Sequence, residues 1–142
     1  MKISARNVFS GKITKLTNGA VNAEVELTTQ GGDKLVAIVT EASVKSLGLA
    51  DGKDAVAFVK APWVMLLTGA SDIRFSARNQ LTGTVKRVAK GAVNSEVSLE
   101  LRGGSLVHAI VTNDAVTELG LAEGVPATAL IKASHVVIGV KA

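Results

Sequence analysis

The sequence contains no cysteine. That excludes a disulfide framework, a thiolate metal site and a cysteine nucleophile, and it fits a reducing compartment. Aromatic residues are nearly as scarce: Phe9, Phe58, Phe75 and Trp63 are the whole set. Barrels that hold single-stranded nucleic acid stack bases on aromatic side chains in a basic groove. Here only Phe9 and Phe58 occupy strand-like positions, both read as core, and Leu81 and Leu130 stand at the equivalent places later in the chain. No nucleic-acid partner is expected. There are two histidines, His108 and His135, and neither belongs to a serine–histidine–acid set or to a group with metal-ligand spacing. No glycine-rich strand–loop–helix phosphate motif is present. Catalytic residues and direct protein ligands to a metal are therefore expected to be absent. No apolar run approaches the length that spans a bilayer. The opening residues Met1 to Asn7 turn polar at once, without the apolar stretch of a signal peptide. A cytoplasmic location and no membrane partner are the expectation.

What the chain does have is apolar material and internal order. Nearly half of the 142 residues are hydrophobic (47%), enough for a packed core, and the net charge of +4 is scattered rather than clustered. A mild positive bias suits an anionic ligand. The strongest feature is a duplication. Residues 4–69 align without a gap on residues 76–141. Ser4-Ala5-Arg6-Asn7 recurs as Ser76-Ala77-Arg78-Asn79, and Gly19-Ala20-Val21-Asn22 as Gly91-Ala92-Val93-Asn94. Ala37 to Thr40 recurs as Ala109 to Thr112, Leu47 to Ala50 as Leu119 to Ala122, and Lys60-Ala61 as Lys132-Ala133. The natural division is a first unit over residues 1–69, a linker over 70–74 and a second unit over 75–142. The linker is too short for two independently tumbling bodies.

Each copy reads as strands with one short helix. Val21, Ala23, Val25 and Leu27 alternate with polar residues, which marks a half-buried strand. Phe9, Gly11 and Ile13 alternate until Leu16 breaks the phase, and Leu81, Gly83, Val85 and Val88 break it in the same place, so a bulge is expected in strand one. Asn18-Gly19 signals a tight turn. After Gly31-Gly32, Leu35 to Val39 reads as a buried strand. Glu41 to Leu47 reads as a short helix with Thr40 as N-cap and Gly48 at the C-terminal cap, and Asp114 to Leu119 is its counterpart, ending at Gly120. Strand four runs from Ala55 to Lys60, Pro62 breaks it, and Val64 to Leu67 is strand five. This order in about 70 residues predicts an all-β chain of two tandem OB-type five-stranded barrels, each with a short helix between strands three and four. A core of that size is marginal alone, so the copies should pack on each other and on further subunits.

The residues that could carry chemistry follow from the repeat. Ser4-Ala5-Arg6-Asn7 offers a hydroxyl, a guanidinium and successive backbone N–H groups at the start of strand one. A doubly charged tetrahedral anion needs such donors and positive charge without nearby carboxylates. The segment survives in both copies while its neighbours drift, as at Val8/Gln80 and Lys12/Thr84. Lys60, just before the turn at Pro62, is a second cation and recurs as Lys132. Glu24 and Glu96 also recur, but on the polar face of a strand, where they read as solvated carboxylates. A hairpin turn explains the glycine of Gly19-Ala20-Val21-Asn22 but not the residues that follow it. These residues and Gly91-Ala92-Val93-Asn94 are candidates for a second anion site.

Taken together, these motifs resemble those of the molbindin, or Mop-domain, family. The resemblance is carried by Ser-Ala-Arg-Asn, by Gly-Ala-Val-Asn, by the Leu-Gly-Leu helix end and by Val59-Lys60-Ala61-Pro62-Trp63-Val64. It covers nearly the whole chain. The last motif departs at its Pro-Trp pair in the second copy, where it reads Ile131-Lys132-Ala133-Ser134-His135-Val136. The resemblance implies Mop barrels that bind molybdate or tungstate, with no further cofactor. It implies a stand-alone store made of six Mop units, hence a trimer of this chain, with anions at the interfaces between barrels. A molybdate-sensing regulatory module acting through a protein partner is the alternative. Carried over by position, Ser4 and Ser76 would supply hydroxyls, and Arg6 and Arg78 charge and N–H groups. Ala5 and Ala77 would supply backbone. Lys60, Ala61, Lys132 and Ala133 would close the pocket from a neighbouring barrel, and Asn22 and Asn94 would mark a second class of site near the symmetry axis.

Overall fold

The computed structural model describes residues 1–142 in full. The first repeat supplies strands β1 (Asn7–Asn18), β2 (Asn22–Thr29) and β3 (Lys34–Thr40), helix α1 (Glu41–Leu47), and strands β4 (Asp54–Val59) and β5 (Met65–Leu67). The second supplies β6 (Asn79–Lys90), β7 (Asn94–Leu101), β8 (Leu106–Thr112), α2 (Asn113–Leu119), β9 (Pro126–Ile131) and β10 (Val137–Gly139). A 3-10 turn precedes each fifth strand, at Ala61–Trp63 and Ala133–His135. No helix is long and apolar enough to cross a membrane. The expected all-β pair of curled five-stranded sheets, each with one short helix, is what the chain forms.

Local chemistry accounts for the element ends. Thr40 caps α1 by accepting from the Ser43 N–H, and Thr112 caps α2 from Ala115. Gly48 and Gly120 close the helices in the left-handed conformation, at φ 61° and 65°. The phase break in strand one is a bulge: register slips between Ile13 and Lys15 and, identically, between Val85 and Arg87. Gly19 is needed for a different reason from the one expected. Its backbone is not left-handed; an added Cβ would instead meet the Asn22 carbonyl oxygen at 2.5 Å.

The sheet order holds a feature that the repeat does not announce. The first sheet runs β10-β4-β1-β2-β3 and the second β5-β9-β6-β7-β8. Each repeat gives its fifth strand to the other. Val137, Ile138 and Gly139 pair with Phe58, Ala57 and Val56, while Met65, Leu66 and Leu67 pair with Leu130, Ala129 and Thr128. The core follows suit. One cluster of 25 buried residues joins both repeats, with Ile13, Val25, Leu27 and Val59 from the first and Val85, Val97, Leu99 and Ile131 from the second essentially sealed from solvent. Phe9 belongs to it, and Phe58 is buried beside the β10 residue Gly139, so both are core as read from the sequence. The two β2–β3 and β7–β8 hairpin turns meet backbone to backbone. A Cβ on Gly31 would overlap the Gly103 carbonyl, and the Asp33 carboxylate accepts from the N–H groups of Gly103 (2.8 Å) and Ser105 (3.1 Å).

Candidate functional site

Ser4, Ala5 and Arg6 lead into β1, whose first residue Asn7 pairs with Val59, the last of β4. Arg6 and Lys60 are the next residues outward on those two strands, so the sheet brings the two cations to one end. The second repeat does the same, with Asn79 opposite Ile131 and Arg78 and Lys132 just beyond. Ala61 and Ala133 open the 3-10 turns and are buried, and each turn packs on the other repeat: Ala61–Trp63 on β8, Ala133–His135 on β3. The Lys60 ammonium lies 5.6 Å from the centre of the Trp63 ring. Trp63 in turn packs at 5.1 Å against His135, the residue at its own position in the other repeat. Lys132 has histidine where Lys60 has tryptophan, and the buried Nδ1 of His135 has no hydrogen-bond partner.

The fourth residue of the Ser-Ala-Arg-Asn motif turns out to be structural. Asn7 is fully buried and grips the other repeat as another strand would: its Nδ2 donates to the His108 carbonyl (2.8 Å) and its Oδ1 accepts from the His108 N–H (2.7 Å). Asn79 grips Val36 in the same two-way fashion, at 2.8 and 2.7 Å. A carboxamide carries one donor and one acceptor side by side, which matches the N–H and C=O of a single strand residue. The motif is therefore pinned, twice, across the seam between the repeats.

The arginines are pinned as well, and here one reading of the sequence is corrected. Glu24 and Glu96 are not merely solvated. Arg6 donates from Nη2 to Glu96 Oε1 at 2.6 Å and from Nε to Oε2 at 3.2 Å, a fork-to-carboxylate pair. Arg78 pairs reciprocally with Glu24. Hydrogen bonds from the arginines hold both carboxyls below the usual glutamate value, against the opposing effect of desolvation. The segment thus has a carboxylate beside each guanidinium, contrary to the carboxylate-free setting expected. Sequence reasoning missed the two glutamates as site residues, although their recurrence at equivalent positions was a usable signal. It also set His108 aside. His108 lies on the second repeat alone, with Nδ1 at 2.8 Å from Ser98 Oγ and 3.6 Å from Glu96 Oε1. Burial pushes its pKa below the ordinary histidine value, while Glu96 pulls the other way. His108, Arg6, Ser10, Gln30 and Ser105 line an open cleft of about 450 Å³ along the seam, which Ser4 and Lys60 do not line.

The second group of candidate residues occupies the β1–β2 and β6–β7 turns. The Gly19 N–H donates to the Glu41 carboxylate (3.0 Å) and the Glu41 N–H to the Val21 carbonyl (2.9 Å), which fastens the turn to the start of α1. In the second repeat Asn113 replaces the glutamate. It donates from its backbone to Val93 and from its side chain to the Gly91 carbonyl, while the Gly91 N–H donates to Asn94. Ala20, Ala92, Asn22 and Asn94 are exposed, and Val21 and Val93 stand out as apolar side chains at the turn tips, 73% and 71% exposed. Asn22 and Asn94 stand two residues before Glu24 and Glu96 on the same strands, so each turn adjoins the glutamate that pairs with an arginine of the other repeat.

Comparison with known proteins now places the chain. The TOBE-domain family model matches it twice, over residues 3–66 and 76–138. The chain is 46% identical over 138 residues to the molybdenum-pterin-binding protein MopA of Rhodobacter capsulatus, covering 97% of this chain and 52% of that protein. It is 43% identical to the molybdenum transport protein ModE of Herbaspirillum seropedicae, covering 99% of this chain and 52% of that one. The chain thus spans about half the length of the curated relatives it matches. Over its full length it resembles the crystal structure of the cytoplasmic molybdate-binding protein ModG with molybdate bound. The TM-score is 0.94 at 59% sequence identity, covering 99% of this chain and 100% of that one. These relatives are named for molybdenum or molybdate binding and transport. The reciprocal exchange of strands, the doubled Ser-Ala-Arg-Asn clamp and these matches have one conclusion: the chain belongs to the TOBE-domain family, in the tandem molbindin form that it shares with ModG.

Proposed function

We propose that this chain binds molybdate, and tungstate with it, as a cytoplasmic oxyanion store. The observation that carries the proposal is the twofold placement of an Ser-Ala-Arg segment and a lysine at one end of paired strands, on a backbone pinned from the other repeat. That arrangement offers a hydroxyl, N–H groups and two cations to a compact dianion, and holds them rigid before the anion arrives. Full-length likeness to ModG supports the choice of ligand. The residues assigned to this site are Ser4, Ala5, Arg6, Lys60 and Ala61, with Ser76, Ala77, Arg78, Lys132 and Ala133 as the second set. The exposed turns Gly19–Asn22 and Gly91–Asn94 are assigned a second class of site. The assembly is a trimer, six barrels in all, with anions between barrels. Neither turnover nor a nucleic-acid partner forms part of the function.

Calorimetric titration of anion-free protein with molybdate tests this, with sulfate and phosphate as controls and the mass in solution measured alongside. Binding at more than one site per chain, with sulfate ignored, is the expected result. The Arg6→Ala/Arg78→Ala double variant should stay folded and bind more weakly. Unchanged affinity in that variant would remove the arginines from the site, and no binding by the wild type would refute the proposal. A second reading has one observation in its favour: relatives named as ModE transport proteins carry this region as about half their length. In that reading the pair of barrels senses the anion and signals through a partner. A partner retained on the immobilised protein only with molybdate present would decide for sensing over storage.

A further inference from the structure

Each guanidinium of the proposed site is already held by a carboxylate, and the way it is held matters. Guanidinium has five N–H donors in one plane. Glu96 takes the Nε–H and one hydrogen of Nη2 from Arg6. The two hydrogens of Nη1 and the second of Nη2 are left over, and they form the outer edge of the fork. That edge is itself a two-oxygen receptor of the kind that fits a tetrahedral oxyanion. The Arg6 side chain remains 56% exposed while Glu96 is only 26% exposed, so the guanidinium stays accessible to a solute while its carboxylate partner is the more buried of the two. Arg78 and Glu24 pair at the equivalent place through Nη2 and Oε1, at 50% and 36% exposure. Both pairs cross from one repeat to the other, next to the asparagine clamps at Asn7 and Asn79. An unheld arginine loses much rotamer freedom when it binds; one already held loses little.

On these grounds, and resting on the oxyanion site proposed above, we infer that Glu24 and Glu96 are positioning residues, which orient Arg78 and Arg6 so that the unused edge of each guanidinium is presented to the anion. The carboxylates do not touch the ligand. They also make the site a joint product of both repeats, since the arginine and the glutamate of each pair come from different ones.

The test uses the full chain, with molybdate as the probe. The Glu24→Gln/Glu96→Gln variant keeps shape and removes charge, and Glu24→Asp/Glu96→Asp keeps charge on a shorter arm. Expected for the glutamine variant is about tenfold weaker binding, the order of the rotamer freedom that a long side chain regains. The aspartate variant should fall in between. Without any ligand, the Arg6 Nε–H should show a hydrogen-bonded, slowly exchanging NMR signal that the glutamine variant loses. Equal or tighter molybdate binding by the folded glutamine variant would overturn the inference and make the carboxylates bystanders or competitors. A wild type that ignores molybdate would instead refute the function, while the Nε–H signal would still report whether the clamp exists.

Discussion

Replacing Asn7 with alanine is the sharpest probe of how the two repeats are held together. The substitution removes a carboxamide that is 0% exposed and that satisfies both backbone groups of His108. Leaving a buried N–H or C=O without a partner costs about 1–3 kcal/mol each, so two such groups amount to about 2–6 kcal/mol. A chain of 142 residues unfolds with an entropy of about 0.3 kcal/mol/K, so each kcal/mol moves the midpoint by about 3 °C. The expected fall in Tm is therefore about 6–18 °C, and Asn79→Ala, which strands Val36, should match it. Asn7→Asp separates hydrogen bonding from shape. Its ionised carboxylate still accepts from the His108 N–H but sets a second oxygen against the His108 carbonyl. Burial and that contact favour the protonated acid, so its folded pKa lies above the unfolded one. Relative to wild type, the variant should gain stability as pH falls through that raised value. Thermal unfolding followed by circular dichroism at several pH values is the assay. A Tm within about 3 °C of wild type for both alanine variants, or an Asp variant whose Tm deficit against wild type does not shrink on acidification, would refute the two-way clamp.

Other perturbations address neighbouring parts of the molecule. Removing residues 137–142 takes β10 from the first repeat although the cut lies in the second. Amide exchange should quicken at Val56 to Phe58 while Thr128 to Leu130 keep their protection. Gly31→Ala drives a methyl group into the Gly103 carbonyl where the hairpins meet, and should cost about 1–3 kcal/mol in chemical denaturation, whereas Gly19→Ala disturbs only its own turn. The glutamates paired with arginine have lowered pKa values. Their contribution is complete above the unfolded value of 4.5 and drains away as pH falls through the lowered folded values. His108 is also lowered, by burial, so its neutral form is the one the fold favours. Its contribution is present above 6.5 and is lost as pH drops toward the folded value. The Tm of the wild type should thus decline in two steps on acidification, and His108→Val should remove the upper one.

Much of this architecture is written locally. Alternation at Val21–Leu27, the phase break before Leu16, the Thr40 cap and the glycine after Leu47 place the strands, the bulge and the helix within a residue or two. The exchange of fifth strands is not written locally, and the reason is the repeat itself. Val137 meets Phe58 and Met65 meets Leu130, and these are equivalent positions in the two copies. A fifth strand paired at home or away would make the same register with near-identical neighbours. The arginine–glutamate pairs share this ambiguity: Arg6 faces one equivalent glutamate in each copy, and only the three-dimensional arrangement selects Glu96. His108 was hard to read for the opposite reason. It has valine at its counterpart, so a search for what both copies retain passes over it.

The traded strands also bear on ancestry. A lone repeat would have an unfilled edge beside its fourth strand and a fifth strand with nowhere to lie, and two separate chains could satisfy both only by meeting. The segment from Gly69 to Arg74 replaces that encounter with a tether, which holds the partners at an effective concentration on the order of millimolar however dilute the protein is. Fusion also ended the requirement for sameness. Once the two halves are certain of each other, one can keep Pro62-Trp63 while the other drifts to Ser134-His135, and the stacked Trp63–His135 contact is where that freedom has been used. A single gene encoding two identical halves could not draw that distinction.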